Sequence, residues 1–232
     1  MATNLVFDGM QTYIEVPDSA DFSVATTGGL TVSAWMRPDV LTFPNEEGDG
    51  YVHWLGKGEA GQQEWTFRIY GADTTAPADT GHPEGPTRSG RISFYVFNLE
   101  GGLGVGSYFQ DPLTAGNWIH VVGAADSTDT YIYRDGVLRK SQQYVPTIVP
   151  THGSANMRIG TRDLKSYFQG SIREVRIWSR CLLASEVASL YESGVVPEIG
   201  LVAEYLLNQD IAVDSAGSHN GNVSFGSWVA AS

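Results

Sequence analysis

The feature that most constrains this chain is a hydrophobic alternation with a period of two. In Leu30–Met36 (LTVSAWM), Leu30, Val32, Ala34 and Met36 fall on one side and Thr31, Ser33 and Trp35 on the other. Trp65–Tyr70 repeats the pattern, with Trp65, Phe67 and Ile69 against Thr66, Arg68 and Tyr70. Successive strand side chains point to opposite faces, so each segment predicts a strand with one buried face. Further β-forming runs begin at Leu5, Tyr13, Arg91, Trp118, Thr130, Met157, Ser171, Leu201 and Asn222, and Asp8-Gly9 and Asp135-Gly136 supply hairpin turns. Ala184–Ser193 alone has helical spacing, with Val187, Leu190 and Tyr191 on one face and Gly194 as its stop. About a dozen short strands between turns predict an all-β fold. We read it as a two-sheet antiparallel β-sandwich, a jelly roll, with one short helix in its C-terminal half. No linker divides the chain, so residues 1–232 read as one domain. Phe43–Gly50 and Gly71–Gly90 read as loops.

Charge then narrows the partners. Asp and Glu number 26 and Lys and Arg 14, a net charge of −12. Such a surface repels phosphate, which argues against nucleic acid and anionic lipid as ligands. No apolar run is long enough for a transmembrane helix. The single cysteine, Cys181, excludes an internal disulfide and any cysteine-built zinc cluster. The first residues (MATNLVFDG) have no basic or apolar leader, so the expectation is cytoplasmic synthesis, or release with a particle.

Seven segments, in order along the chain, carry a family resemblance. They are Leu5–Gly9 (LVFDG), Tyr13–Phe22 (YIEVPDSADF), Leu30–Pro38 (LTVSAWMRP), Gly116–Val122 (GNWIHVV), Tyr131–Val137 (YIYRDGV), Tyr167–Leu182 (YFQGSIREVRIWSRCL) and the closing Leu201–Gly221 stretch. Together they resemble the laminin G-like, concanavalin A-like jelly rolls. The resemblance implies the sandwich, with Trp35, Trp118 and Trp178 in or near its core. It leaves function open, because that scaffold hosts lectins, glycan hydrolases and lyases, adhesion domains and spacers. It also implies one structural Ca²⁺ near a sheet edge, for which Asp8, Asp214, Asn220 and Glu174 supply oxygens. The competing reading makes Asp8 and Asp214 turn caps.

The residues themselves argue against catalysis. A retaining glycosidase needs two carboxylates about 5–5.5 Å apart, and no strand reads E-x-D or E-x-E. Glu15, Asp18 and Asp21 read as solvated loop acids. The histidines at 53, 82, 120, 152 and 219 show no metal-binding spacing, and His120 reads as a hydrogen-bonded core residue. A polysaccharide lyase built on Arg68, Tyr70, Tyr95, His53 and His82 is the third choice. Non-catalytic carbohydrate binding is the first, with Arg68, Tyr70, Tyr95 and Asn98 on a sheet surface and His53 and Tyr108 contributed by loops. Tyr and His would stack on sugar rings, while Arg and Asn would bond hydroxyls. The acidic balance favours neutral or basic glycans. The second choice is assembly in a particle, through self-association or another protein.

Overall fold

The alternating segments become the strands of two antiparallel sheets. The structure, a computed structural model, describes residues 3–79, 85–101, 104–209 and 211–230. In chain order come β1 (Thr3–Asp8), β2 (Tyr13–Val16), the one-turn helix α1 (Val24–Thr27), β3 (Leu30–Pro38), β4 (Tyr51–Lys57), β5 (Trp65–Tyr70), β6 (Ile92–Phe97) and β7 (Gly104–Phe109). There follow β8 (Ile119–Ala125), β9 (Asp129–Arg134), β10 (Val137–Gln143), β11 (Met157–Ile159), β12 (Gln169–Trp178), α2 (Ala184–Ser193), β13 (Leu201–Tyr205), β14 (Asn222–Ser224) and β15 (Ser227–Ala230). One sheet runs β10-β9-β8-β3-β12-β1-β15, with β13 also pairing β12; the other runs β14-β2-β11-β4-β5-β6-β7. Among the described residues no helix is long and apolar enough to cross a membrane.

The faces divide as the alternation predicts. Leu30, Val32, Ala34 and Met36 of β3 and Trp65, Phe67 and Ile69 of β5 are buried between the sheets. There Trp54, Phe67 and Phe94 pack as tilted rings, with centroids 4.7 Å and 4.8 Å apart along the series. Burial of each such side chain contributes roughly 1.5–3 kcal/mol. Gly123 of β8 faces these rings; a Cβ there would come within 2.6 Å of Phe67, so the close approach requires glycine. On the far side of the larger sheet, α2 buries Val187 and Leu190 against Trp178, Val122 and Tyr133. Trp35 and Trp118 lie half-buried on that outer face. His120 is buried, with Nε2 2.9 Å from Ser33 Oγ.

Two regions read as loops are strands. Tyr51, His53 and Trp54 belong to β4, and Tyr108 and Phe109 to β7. In β4 the register with β5 shifts between His53 and Leu55, and the consecutive residues Trp54 and Leu55 are both buried, so the bulge erases the alternation. In β7, Gly104 and Gly106 weaken the strand signal. Glu174 sits in another bulge, at φ 52°, where β12 shifts register against β3 between Arg173 and Arg176.

Candidate functional site

The outer face of the seven-stranded sheet gathers most of the candidate binding residues. Pairing sets Tyr51 opposite Tyr70, His53 opposite Arg68, Arg68 opposite Ser93 and Tyr95 opposite Gly106. Because Trp65, Phe67 and Ile69 fill the core, Thr66, Arg68 and Tyr70 must point the other way. The Arg68 guanidinium lies over three rings, 4.5 Å from Tyr51, 5.1 Å from Tyr95 and 5.3 Å from Phe97. Arg88 donates to the Tyr70 hydroxyl at 3.1 Å, and the Tyr51 and Tyr70 rings meet edge to face at 5.3 Å. Burial pushes the Tyr51 and Tyr95 phenols up, so both remain neutral hydroxyls near neutral pH. Beyond Tyr95, the side-chain-free Gly104 and Gly106 leave a hollow of about 310 Å³, walled by Tyr95, Tyr108, Lys140 and Gln142.

Arg68 is electrostatically unlike its neighbours. Arg88 and Arg91 pair with Asp79, Arg158 with Glu15, and Arg162 with Asp163. Among the described residues Arg68 is the one arginine with no carboxylate within 4.0 Å and no hydrogen-bond partner. It is also partly exposed. The local surface is therefore cationic and aromatic, in a chain whose overall charge is −12.

Toward β4 the face is covered. The turn before β4 folds back through a Glu47–Tyr51 bridge. The segment after β11 runs beside β4, where the Gly160 N–H donates to Trp54 O at 2.8 Å and the His53 N–H to Ser166 Oγ at 3.0 Å. His53 is consequently fully buried, with Nδ1 2.8 Å from Thr66 Oγ1 and Nε2 2.6 Å from Glu47 Oε1. Burial first, and then the Arg162 and Arg68 guanidiniums, hold the imidazole well below its ordinary range, so it is neutral at pH 7.

Among the described residues, two groups of acid and imidazole side chains bring their ligand atoms within 4.8 Å of one another, as a metal ion requires: Glu47, His53 and Asp163, and Asp18, Glu64 and His152. The second already holds a cation. The fully buried Lys57 Nζ lies 2.8 Å from Asp18 Oδ1, bonds Glu64 Oε1, and donates to Gly153 O at 3.0 Å. Asp18 and Glu15, read as solvated acids, are instead ion-pair partners of Lys57 and Arg158. Neither group shows in the sequence, because the ligands come from segments far apart in the chain.

The other candidate residues are placed as follows. Tyr70 shares the face but is nearly buried beneath Arg88. Asn98 clamps the segment after β10, donating to Thr147 O at 2.8 Å and accepting from the Val149 N–H at 2.7 Å. Tyr108 lies between the Arg91 and Lys140 cations, each 3.8 Å from its ring. His82 lies outside the described residues. Asp8 Oδ1 accepts from the N–H groups of Met10, Gln11 and Thr12, each at 2.9 Å. Asp214 Oδ1 accepts from the N–H groups of Glu204, Ala216 and Gly217, and its Oδ2 from that of His219. For both carboxyls burial opposes ionisation, and these N–H donors outweigh it, leaving each below its ordinary value. Asn220 Oδ1 accepts from the Asp214 N–H at 3.0 Å, and Glu174 pairs with Arg176 at 3.2 Å. None of these four belongs to either acid–imidazole group.

Comparison with known proteins places the chain. Residues 8–188 match the family model described as the concanavalin A-like lectin/glucanases superfamily. The fold is similar to that of a heptameric SAP-like pentraxin from Limulus polyphemus, at 12% identity and a TM-score of 0.60, over 96% of this chain and 94% of that one. It is similar also to a Bacteroides ovatus protein described as a candidate carbohydrate-binding protein, at 19% identity and a TM-score of 0.62, covering 99% of this chain and 60% of that longer one. A third similar structure is the ligand-binding domain of botulinum neurotoxin serotype D in complex with N-acetylneuraminic acid, at 14% identity and a TM-score of 0.50, over 76% of this chain and 37% of that one. No curated protein sequence matches.

Proposed function

The chain belongs to the concanavalin A-like lectin/glucanase superfamily, and from that premise we propose that it is a non-catalytic carbohydrate-binding domain whose contact surface is the outer face of the seven-stranded sheet. The observation that carries this reading is Arg68, a partly exposed cation held by three aromatic rings and without a carboxylate or hydrogen-bond partner among the described residues. Elsewhere on the face arginines are neutralised by neighbouring acids. Apart from its buried Nε, Arg68 keeps its donors for a ligand's hydroxyl or carbonyl oxygens, while the exposed part of Tyr95 offers a surface for the C–H face of a sugar. The hollow beside Tyr95 takes the neighbouring residue of a chain. Two similar structures are described as a candidate carbohydrate-binding protein and as a domain complexed with a sugar.

A glycan array probed with the full chain tests this. The expected result is a set of related glycans retained by the protein and lost by Arg68→Ala and Tyr95→Ala. Retention unchanged in both variants would move the contact surface elsewhere, and a blank array would weigh against carbohydrate altogether.

A second reading, assembly through a sheet edge, is favoured by β15. It ends the eight-stranded sheet, and Val229 on it and Phe225 before it are 45% and 70% exposed. Light scattering across a concentration series decides it: a monomer throughout removes self-association.

A further inference from the structure

The group around His53 contains more unused bonding capacity than a sheet face needs. His53 is 0% exposed, and its Nε2 has no hydrogen bond of acceptable geometry. Glu47 Oε1 and Asp163 Oδ1 are buried and also lack one, and the Asp163 side chain is only 3% exposed. Each of the three side chains offers one ligand atom within 4.8 Å of the others. His53 Nε2 and Glu47 Oε1 approach to 2.6 Å without forming a hydrogen bond, and a buried polar atom left unsatisfied costs about 1–3 kcal/mol, so an occupant that bonds all three side chains would recover that cost. We propose that Glu47, His53 and Asp163 form a binding site for a Zn²⁺-class divalent cation, bonded through Oε1, Nε2 and Oδ1.

Donor chemistry selects the ion. One imidazole nitrogen and two carboxylate oxygens suit zinc and its first-row neighbours, whereas calcium takes six to eight oxygens. Arg162 donates to Asp163 Oδ2 at 2.7 Å and so leaves Oδ1 as the oxygen without a hydrogen bond. Thr66 Oγ1, 2.8 Å from Nδ1, fixes the ring from its other side. Arg68 does not pair with these acids, its charge lying over the Tyr51, Tyr95 and Phe97 rings. Three protein ligands leave a tetrahedral ion one further position, for water or a ligand oxygen. The other acid–imidazole group provides the contrast, since Lys57 already supplies its positive charge.

The test is a zinc titration of the full chain after chelation and desalting, read by calorimetry and by elemental analysis of the desalted product. Cobalt serves as the spectroscopic probe, through its visible d–d bands. The expected result is one zinc per chain, retained in His152→Ala and weakened at least about tenfold in His53→Ala. Because His53 is buried and its removal threatens folding, Glu47→Gln is measured in parallel, with circular dichroism as the check. Its affinity is expected to fall by a similar factor. Absence of retained zinc and of cobalt bands in the wild type overturns the proposal, as does equal retention in a folded Glu47→Gln variant. Loss of zinc in His152→Ala alone would assign the ion to the other group and overturn it too.

Discussion

Two acid–imidazole groups flank the same strand, and they differ in how their charge is met. At one end of β4, Asp18, Glu64 and His152 close around the Lys57 ammonium, a cation that the chain supplies itself. At the other end, Glu47, His53 and Asp163 converge without one, and the nearest guanidiniums are engaged elsewhere, Arg162 on the far oxygen of Asp163 and Arg68 over aromatic rings. The first arrangement is complete as a structural element. The second is buried beside the surface we assign to ligands, with no ammonium or guanidinium of the chain bonded to all of its acids. A cluster of acids is thus a site only in so far as the chain leaves it unfilled.

The largest expected effect tests the filled group. Lys57→Met leaves two carboxylates facing each other without their counter-ion, and removing one partner of a buried pair costs about 3–5 kcal/mol. Urea unfolding would show that loss, and a variant as stable as the parent would break the comparison. Next comes acid. The folded pKa values of His53 and His120 lie below the unfolded value of about 6.5, His120 at about 4, chiefly through burial. The unfolded chain therefore binds protons that the native state refuses, and stability falls as pH drops below about 6.5, by about 1.4 kcal/mol per pH unit for each histidine. For His120 the loss ends near pH 4. Stability curves measured without metal check this, and flat stability from pH 7 to 5 contradicts a neutral buried His53.

A smaller effect sharpens the contrast. Arg68→Ala removes one of the cations that depress His53 and three ring contacts worth about 0.5–1 kcal/mol each at partly exposed sites. We expect a stability loss of about 1.5–3 kcal/mol and a His53 titration moved upward, followed by NMR of its ring protons. An unmoved titration would mean that burial and Arg162 keep His53 neutral without Arg68. The smallest effect is none: the Asp8 and Asp214 oxygens already accept backbone N–H groups, so added calcium is expected to leave Tm unchanged. A clear rise would return calcium to Asp8, Asp214, Asn220 and Glu174.

The fold was legible wherever side chains alternate cleanly. In β3 and β5 the period of two assigns every residue to the face it occupies, and it puts Arg68 on the outer one. The Asp135-Gly136 turn was equally plain, since φ values of 51° and 77° demand residues that tolerate the left-handed region. Legibility failed at β4 and β7, for local reasons. A bulge sets two apolar residues side by side in β4, and glycines dilute β7. The surface proposed for ligands was half legible. Arg68, Tyr95 and Tyr70 do share a face, but Asn98 is taken up in holding a loop and His53 is a buried strand residue. The acid–imidazole groups could not be seen, because closeness in space between residues 47 and 163, or 18 and 152, leaves no trace in linear spacing.

The bulge in β4 has one more effect. In an unbroken strand, odd-numbered neighbours share a side, so His53 and Lys57 would look the same way. The extra residue reverses the parity between them: His53 keeps company with Arg68, while Lys57 pairs in register with the buried Trp65 and Met157. Deleting Trp54, the single residue between His53 and Leu55, would remove the bulge yet leave His53 opposite Arg68 and Lys57 opposite Trp65, so the two cations and their acids would keep their sides while the core lost an indole.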